Sequence, residues 1–173
     1  MKGSIFAKLL NKNAIKVQEE KRAPHHSFSQ KELNDKLFDA IFYGEKIEAI
    51  EDLLDQGANP NTESVNGTYK ATALFASSMN RTDIVKLLIE KGANVNIPES
   101  YNKLTPLHRA CYMPNNSSLE IVKLLIENGA DLSIKDGLDR TAFDVAKTCK
   151  TEYSKPIIAY LYEQITKDKE NEQ

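Results

Sequence analysis

Residues 83–96 read DIVKLLIEKGANVN, and residues 120–133 read EIVKLLIENGADLS. The two stretches are 37 residues apart and are identical at nine of fourteen positions. A near-copy at a spacing of about 20 to 50 residues is typical of a stacked repeat, in which a unit buries its apolar face only when a neighbour covers it. The repetition therefore predicts a solenoid, an elongated array that offers a long recognition surface.

Each copy has the pattern of an amphipathic helix that ends at a glycine. Apolar residues recur with a period near 3.6 residues, which is typical of a helix with one buried face. Gly92 and Gly129 follow the apolar stripe, where a helix end favours a left-handed residue and where another residue costs about 1 to 2 kcal/mol. A fainter copy, EAIEDLLDQGANPN, covers residues 48–61 with Gly57 in the same place. A degraded fourth copy, PIIAYLYEQ, covers residues 156–164 and has no closing glycine.

A second pattern precedes the best copy, since residues 105–110 read TPLHRA. Threonine is a favourable N-cap and proline fits the first helical turn, so this string predicts the start of a short helix. With IVKLLIENGADL behind it, the string resembles the TPLHxA signature of ankyrin repeats. The resemblance covers about three quarters of the chain and implies an all-α fold, an ankyrin-repeat solenoid of stacked helix-turn-helix units with hairpin tips.

The order of elements in that family predicts the domain organisation. Residues 31–166 form the repeat domain, with units at about 35–70, 71–104, 105–140 and 141–165. Degraded end units are expected, because terminal repeats must present a polar outer face to water. Residues 1–30 form a separate basic leader, and residues 167–173 form a charged tail.

The helix-start strings of the other units depart from the signature. They read DKLFDA (35–40), ATALFA (71–76) and TAFDVA (141–146). In the family, the threonine and the histidine of the signature join neighbouring turns by hydrogen bonds. Here that role falls to Thr105 and His108 alone, so we expect the other units to be held together mainly by packing.

Two insertions set the units apart. The first tip, residues 58–70, is the longest, and residues 113–118 add about three residues between the two helices of the third unit. Proline, asparagine and serine are turn formers, so the second insertion is expected to be a loop. Insertions in such arrays fall on one face and often mark the binding face.

The leader has an uncertain structure. Residues 1–22 contain six lysines and arginines against two glutamates. Three interpretations stay open: a disordered or frayed leader, which is preferred, a helix docked on the first unit, and a membrane-surface or targeting helix. Contact of the leader with a membrane is thus not the preferred expectation.

Charge and motif content argue against several function classes. With 23 basic and 25 acidic residues, the net charge of −2 gives no basic stripe for nucleic acid. No phosphate loop, nucleophile elbow or zinc-protease motif occurs, and His25 and His26 lack a thiol or carboxylate at ligand spacing. No apolar run is long enough to span a membrane. We therefore expect no enzyme, no catalytic or metal-binding residue and no cofactor, and we interpret Cys111 as a buried core thiol.

The family resemblance implies a recognition surface. In ankyrin stacks the tips and the exposed side of the short helices together form a concave groove, which binds partner proteins. Carried over residue by residue, the candidates are Tyr69, Phe75, Met79, Tyr101, Lys103, Arg109, Tyr112 and Met113. For Phe75 and Tyr112 the alternative is that they fill gaps between units. The residues expected to be structural are Gly57, Gly92, Thr105, His108 and Gly129.

Two function classes stay open at this point. The favoured one is a monomeric, cytoplasmic adaptor that binds a protein partner through the groove. The alternative is a secreted effector or a membrane-associated factor, addressed by the basic leader or by the charged tail. Richness in lysine, asparagine and isoleucine suggests an AT-rich genome, and short ankyrin proteins of intracellular bacteria include effectors delivered into the host cytosol.

Overall fold

The computed structural model describes residues 28–66 and 69–171. These residues form eight helices and one two-stranded antiparallel hairpin. The helices are α1 Gln30–Phe42, α2 Ile47–Asp55, α3 Ala73–Ser77, α4 Thr82–Glu90, α5 Pro106–Cys111, α6 Ser118–Glu127, α7 Ala142–Thr148 and α8 Ser154–Asn171. The strands are β1 Glu63–Asn66 and β2 Tyr69–Thr72. Most of the predicted leader lies outside the described residues, so its three interpretations stay open.

The helices pair in sequence and stack in two layers. Each short helix packs on the helix that follows it, which gives four units. The short helices α1, α3, α5 and α7 pack on one another in chain order, as do the second helices α2, α4, α6 and α8. The all-α repeat solenoid predicted from the sequence is therefore confirmed, and the hairpin β1–β2 forms the first tip.

Threonines start three of the four short helices. The hydroxyls of Thr72, Thr105 and Thr141 accept hydrogen bonds from backbone N–H groups three residues on, at 3.1, 3.4 and 3.3 Å. A side-chain acceptor at this position satisfies an N–H that the helix leaves without a partner. The expectation that the second helix-start string begins at Ala71 is wrong by one residue, because the N-cap is Thr72.

The first unit begins differently. Its helix α1 is preceded by a capping box in which Ser29 and Glu32 satisfy each other's backbone N–H groups. The helix therefore starts at Gln30, ahead of the predicted unit start near residue 35, and at 13 residues it is longer than α2.

The predicted glycines end α2, α4 and α6 as expected. Gly57, Gly92 and Gly129 have φ values of +99°, +87° and +86°. The alanine after each glycine donates its N–H to a carbonyl five residues back, at 2.9 to 3.0 Å. This arrangement satisfies carbonyls at the helix end and depends on a left-handed residue, which glycine adopts without a steric penalty.

Asparagines join neighbouring units just beyond these glycines. The side-chain oxygen of Asn96 accepts from the N–H of Asp131 at 2.9 Å, and its nitrogen donates to the carbonyl of Gly129 at 2.9 Å. Asn61 makes the same two bonds to the N–H of Asn94 and the carbonyl of Gly92, at 2.6 and 3.4 Å. We call these contacts the asparagine bridges. They add hydrogen bonds between units to the packing that was expected to hold the units together outside Thr105 and His108.

The first unit receives an equivalent bridge from α1. The side-chain oxygen of Asn34 accepts from the N–H of Asn59 at 2.8 Å, and the Gln30 side chain donates to the carbonyl of Gly57 at 2.8 Å. Two side chains of one helix thus supply the two bonds that a single asparagine supplies in later units. The series ends at Ser133, whose hydroxyl bonds within its own turn to Asp131 at 2.6 Å.

One apolar core runs through all the described units. It extends from Leu33 in α1 to Leu161 in α8 without interruption. Cys111 is fully buried within it, as predicted, and burial raises the pKa of its thiol, so the thiol stays protonated. The helix α8 continues to Asn171 and so includes residues that the sequence assigned to the charged tail.

The asparagine bridges can be tested with a matched pair of substitutions. Asn96→Ala removes two inter-unit hydrogen bonds and should lower the free energy of unfolding by about 1 to 2 kcal/mol. Ser133 occupies the same place in the next unit without an inter-unit bond, so Ser133→Ala should change it by less than about 0.5 kcal/mol. Urea melts measure both values, and equal losses would contradict the role of the bridges.

Three leucines at one repeat position test how stability is distributed. Leu88, Leu125 and Leu161 are each fully buried. Leu88→Ala in α4 or Leu125→Ala in α6 should lower the free energy of unfolding by about 2 to 5 kcal/mol. Leu161→Ala should cost less, because the unit that contains α8 has one described neighbour and can unfold without disrupting units on both sides. Urea melts of the three variants compare them, and a loss from Leu161→Ala as large as the others would contradict this division into units.

Candidate functional site

Large apolar side chains are exposed at the C-terminal ends of the short helices. They are Phe42 and Tyr43 at the end of α1, Met79 after α3, and Tyr112 and Met113 after α5. We call the surface formed by these helix ends and the adjoining tips the groove. Phe42 and Tyr43 were missed by the sequence prediction, although they follow LFDAI as Tyr112 and Met113 follow LHRAC.

Arg109 lies in the middle of the groove. Its guanidinium stands over the ring of Phe75, 5.4 Å from the ring centroid, in a cation–π contact. The same guanidinium donates to the sulfur of Met79. Phe75 itself is 4% exposed. The expectation that Phe75 presents an exposed surface is therefore wrong: its ring fills the gap between units and supports Arg109 from below.

Two clefts open on either side of the Arg109 and Phe75 pair. The first, which we call the tip cleft, has a volume of about 370 Å³. Its walls come from the short helices and from two tips: Phe75, Glu99, Asn102, Leu104, Arg109, Tyr112, Asp136, Leu138 and Arg140. The second, the helix cleft, has a volume of about 410 Å³ and is lined mainly by the ends of α1 and α3, with Phe38, Ile41, Phe42, Tyr43, Ala76 and Met79 among its apolar walls.

Buried carboxylates shape the tips around the tip cleft. Glu99 is 2% exposed and accepts backbone N–H groups from Tyr101, Asn102 and Leu104 at 2.7, 2.5 and 3.2 Å. Three backbone donors to one carboxylate fold the tip tightly and satisfy its charge.

Asp136 has the same role in the following tip. It accepts the Nε and Nη2 groups of Arg140 at 2.9 and 2.7 Å. Burial opposes ionisation of this carboxyl, but the bonds from Arg140 outweigh it and hold the pKa of Asp136 below its ordinary value. The two tips also touch: the N–H of Gly137 donates to the Asn102 carbonyl at 2.6 Å, where a Cβ would lie 3.0 Å from the oxygen.

His108 ties α5 to the base of the next unit. Its Nδ1 accepts from the backbone N–H and the hydroxyl of Thr105, at 3.3 and 2.8 Å. Because Nδ1 accepts, Nε2 carries the proton and donates to the carbonyl of Arg140 at 3.0 Å. The predicted bond between Thr105 and His108 is confirmed. It lies within one turn of α5, and the bond that reaches toward the next unit runs from Nε2 to the carbonyl of Arg140, the residue before the capping Thr141.

The remaining predicted residues lie on the surface around the clefts. Tyr101 is 80% exposed on its tip and lines neither cleft. Lys103 is exposed in the same tip, with a left-handed φ of 59°. Tyr112 is 43% exposed and lines the tip cleft, and Met113 is 69% exposed. The side chain of Tyr69 lies outside the described part of the structure. The structure thus brings Phe75, Met79, Arg109 and Tyr112 together and leaves Tyr101 and Lys103 at the rim.

The described part of the chain lacks both a metal-binding cluster and a helix able to span a membrane. Residues 28–66 and 69–171 contain no cluster of three or more histidine, cysteine or acidic side chains able to hold a metal ion. In the same residues no helix has both the length and the apolar character needed to cross a bilayer. His25 and His26 lie outside these ranges.

Comparison with known families agrees with the geometry. A family model of ankyrin repeats, in three copies, matches residues 37–136, which is more than half of the chain. The chain belongs to the ankyrin-repeat family. Ankyrin repeats generally mediate protein–protein interaction, and the family is generally not enzymatic. A search of curated proteins found no match to the chain. The matched residues contain α2 to α6 and the last six residues of α1, and the ankyrin-repeat match ends before α7.

The hydrogen bonds of His108 predict a pH-dependent contribution to stability. Burial lowers the pKa of His108 below its ordinary value, while the Arg140 carbonyl and Asp136 act in the opposite direction. The neutral ring is therefore favoured in the folded state. The contribution of His108 to the free energy of unfolding is fully present above the pKa of the unfolded state, about 6.5. It is lost as the pH falls through the lower pKa of the folded state.

His108→Ala tests this contribution. The substitution removes the Nδ1 acceptor of the Thr105 N–H and hydroxyl and the Nε2 donor to the Arg140 carbonyl. It should lower the free energy of unfolding by about 1 to 3 kcal/mol at pH 7.5. The difference in the free energy of unfolding between wild type and variant, measured by urea denaturation, should become smaller as the pH is lowered below about 6.5. Groups that titrate in both proteins cancel in this difference. A gap that widens at low pH would contradict a neutral, buried His108.

Proposed function

We propose that this ankyrin-repeat protein is an interaction module, or adaptor, that binds a protein partner through the groove. The observation that carries the proposal is the row of exposed large apolar side chains at the ends of α1, α3 and α5, beside two clefts. Single exposed apolar residues are ordinary on a protein surface, but a contiguous row beside clefts is typical of an interaction site.

The composition of the groove supports this proposal. Aromatic residues, methionine and arginine are enriched in the cores of protein interfaces, and lysine and glutamate are depleted there. Phe42, Tyr43, Met79, Arg109 and Tyr112 match that preference. Arg109 is also supported by Phe75 and Met79, so a partner would meet a side chain whose position is largely fixed before binding.

The opposite face of the stack has a different character. The solvent side of α4 and α6 carries exposed charged residues, among them Lys86, Glu90, Lys123 and Glu127. Lys86 and Glu90 lie 4.0 Å apart as a surface ion pair of little energetic value. A solvated, mixed-charge surface of this kind favours solubility over recognition.

The second function class, a secreted effector or a membrane-associated factor, concerns where the protein is targeted rather than what the groove binds. It assigns the basic leader or the charged tail the task of directing the protein to a membrane or into a host cell. No contact in residues 28–66 and 69–171 favours it over the groove, so it stays a prediction. Liposome co-sedimentation of the protein with and without residues 1–30 tests the membrane form of this class.

Site-specific photo-crosslinking tests which face meets a partner. A photoreactive phenylalanine analogue is placed at Tyr112 in the groove or, as the control, at Lys123 on the opposite face. Both proteins are irradiated in extract from cells that express the protein, and crosslinked chains are identified by mass spectrometry. We expect crosslinks from position 112 and none from position 123, and the reverse pattern would contradict the proposal.

Alanine substitutions then test individual residues against the partner so identified. Arg109→Ala and Tyr112→Ala, at residues that line the clefts, should each weaken binding by about 2 kcal/mol or more. Tyr101→Ala, at the rim, should weaken it less. Lys86→Ala and Lys123→Ala should have little effect. Calorimetric titration measures the affinities, and thermal melts check that the variants keep the wild-type melting temperature. Loss of binding in the lysine set alone would assign the partner to the other face.

A further inference from the structure

Arg109 differs from the other arginines of the described chain in its lack of an acidic partner. Arg81 donates Nε and Nη2 to Asp83, both at 3.1 Å, and Arg140 donates the same two groups to Asp136. Within residues 28–66 and 69–171, Arg109 makes no ion pair. Its Nε is buried and has no hydrogen-bond partner. A buried polar atom without a partner is rare in folded proteins, so this one calls for a specific explanation.

The residues around Arg109 do not supply it with a directly paired carboxylate. Counted from the capping threonines, the same position holds Ala76 in the unit before and Val145 in the unit after. Neither side chain is acidic. The two carboxylates in the wall of the tip cleft are already committed, Glu99 to three backbone N–H groups and Asp136 to Arg140. Of the two arginines in the wall of the tip cleft, Arg109 is therefore the one without a carboxylate in an ion pair within the described residues.

The position of the guanidinium suits it to receive a ligand. The Phe75 ring and the Met79 sulfur hold the group in place, and it forms part of the walls of both clefts. A planar guanidinium with free N–H groups pairs with a carboxylate through two parallel hydrogen bonds. The thioether of Met79 is a weak acceptor and does not replace such a partner. A phosphodiester backbone fits less well, because it requires a stripe of cations rather than one.

The helix cleft favours an apolar group in a ligand, next to the acidic group that Arg109 would bind. It shares Arg109 and Phe75 with the tip cleft, and its other walls include the exposed side chains of Phe42 and Tyr43. A ligand whose carboxylate reaches Arg109 can therefore place a neighbouring apolar side chain against these rings. Both clefts are open at the surface and lie side by side, which suits an extended segment more than a compact ligand.

We propose that the groove recognises an extended segment of its partner in which an aspartate or glutamate side chain pairs with Arg109 and an adjacent apolar side chain occupies the helix cleft. This inference rests on the proposed function and specifies the chemistry of the partner. Arg109 is the residue that selects for the acidic group, and the Phe42 and Tyr43 surface selects for the apolar one.

A random linear peptide library displayed on phage, joined at the peptide C-terminus so that no free terminal carboxylate is present, tests the inference. Wild-type protein should enrich peptides that carry an aspartate or glutamate beside an apolar residue. In a synthetic peptide from that set, replacement of the acid by its amide should weaken binding by about tenfold or more. Against Arg109→Gln the same replacement should change binding less than about twofold. Against Lys123→Gln, which removes an equal charge on the opposite face, the acid and amide peptides should differ as they do for wild type.

The outcomes separate this inference from the proposed function. Peptides that lose binding to Tyr112→Ala but show no acidic preference would keep the groove and overturn the role of Arg109. An acidic preference that survives Arg109→Gln would also overturn it, as would a selection that enriches no peptide. Thermal melts accompany each titration and check that Arg109→Gln, which loses the contacts with Phe75 and Met79, stays folded at the temperature of the binding measurement.

Discussion

Burial of the apolar face of each unit by its neighbour is the constraint on which this protein depends. A pair of helices of about 15 to 25 residues in total cannot remove enough apolar surface from water to fold alone. Stacking makes one continuous core from Leu33 to Leu161. Each unit must also keep a fixed height relative to the next, because a shift would separate buried residues and break the hydrogen bonds between units. The asparagine bridges and the Nε2 bond of His108 fix that height at the edges of the core.

The same stacking places the parts of the groove. Phe75 and His108 occupy equivalent positions, three residues after the capping threonines Thr72 and Thr105. In the third unit the histidine donates to the carbonyl of Arg140 and so holds the tip that ends this unit. In the second unit the phenylalanine has no hydrogen bond to offer, and its ring supports Arg109 of the following unit instead. The same repeat position therefore supports the charged side chain of Arg109 in the second unit, through Phe75, and stabilises the stack in the third unit, through His108.

Stability and recognition are kept on different parts of the units. The buried leucines, the glycines at helix ends and the capping threonines hold the stack, whereas the exposed residues at the ends of the short helices contribute little to its core. Exposed rings such as Phe42 and Tyr43, at 65% and 76%, give no burial energy to the free protein. Their value lies in a complex, where a partner would remove them from water. Arg109 fits this division, since its guanidinium makes no ion pair within the described residues and can pair with a carboxylate on binding.

The sequence by itself determined the repeat architecture, the helix ends at Gly57, Gly92 and Gly129, and the pairing of Thr105 with His108. The helix ends and the Thr105–His108 pair depend on residues within about five positions of one another, so local patterns predict them. The repeat architecture follows from the recurrence of one such pattern 37 residues later. The tertiary structure alone decided that Phe75 is buried, that Arg109 has no acidic partner in the described chain, and that Asn61 and Asn96 join units. Each of these involves residues 30 or more positions apart, as with Arg109 over Phe75 and Asn96 with Asp131. Such contacts depend on how neighbouring units align when they stack. The sequence repeat predicts that the units stack but does not predict this alignment.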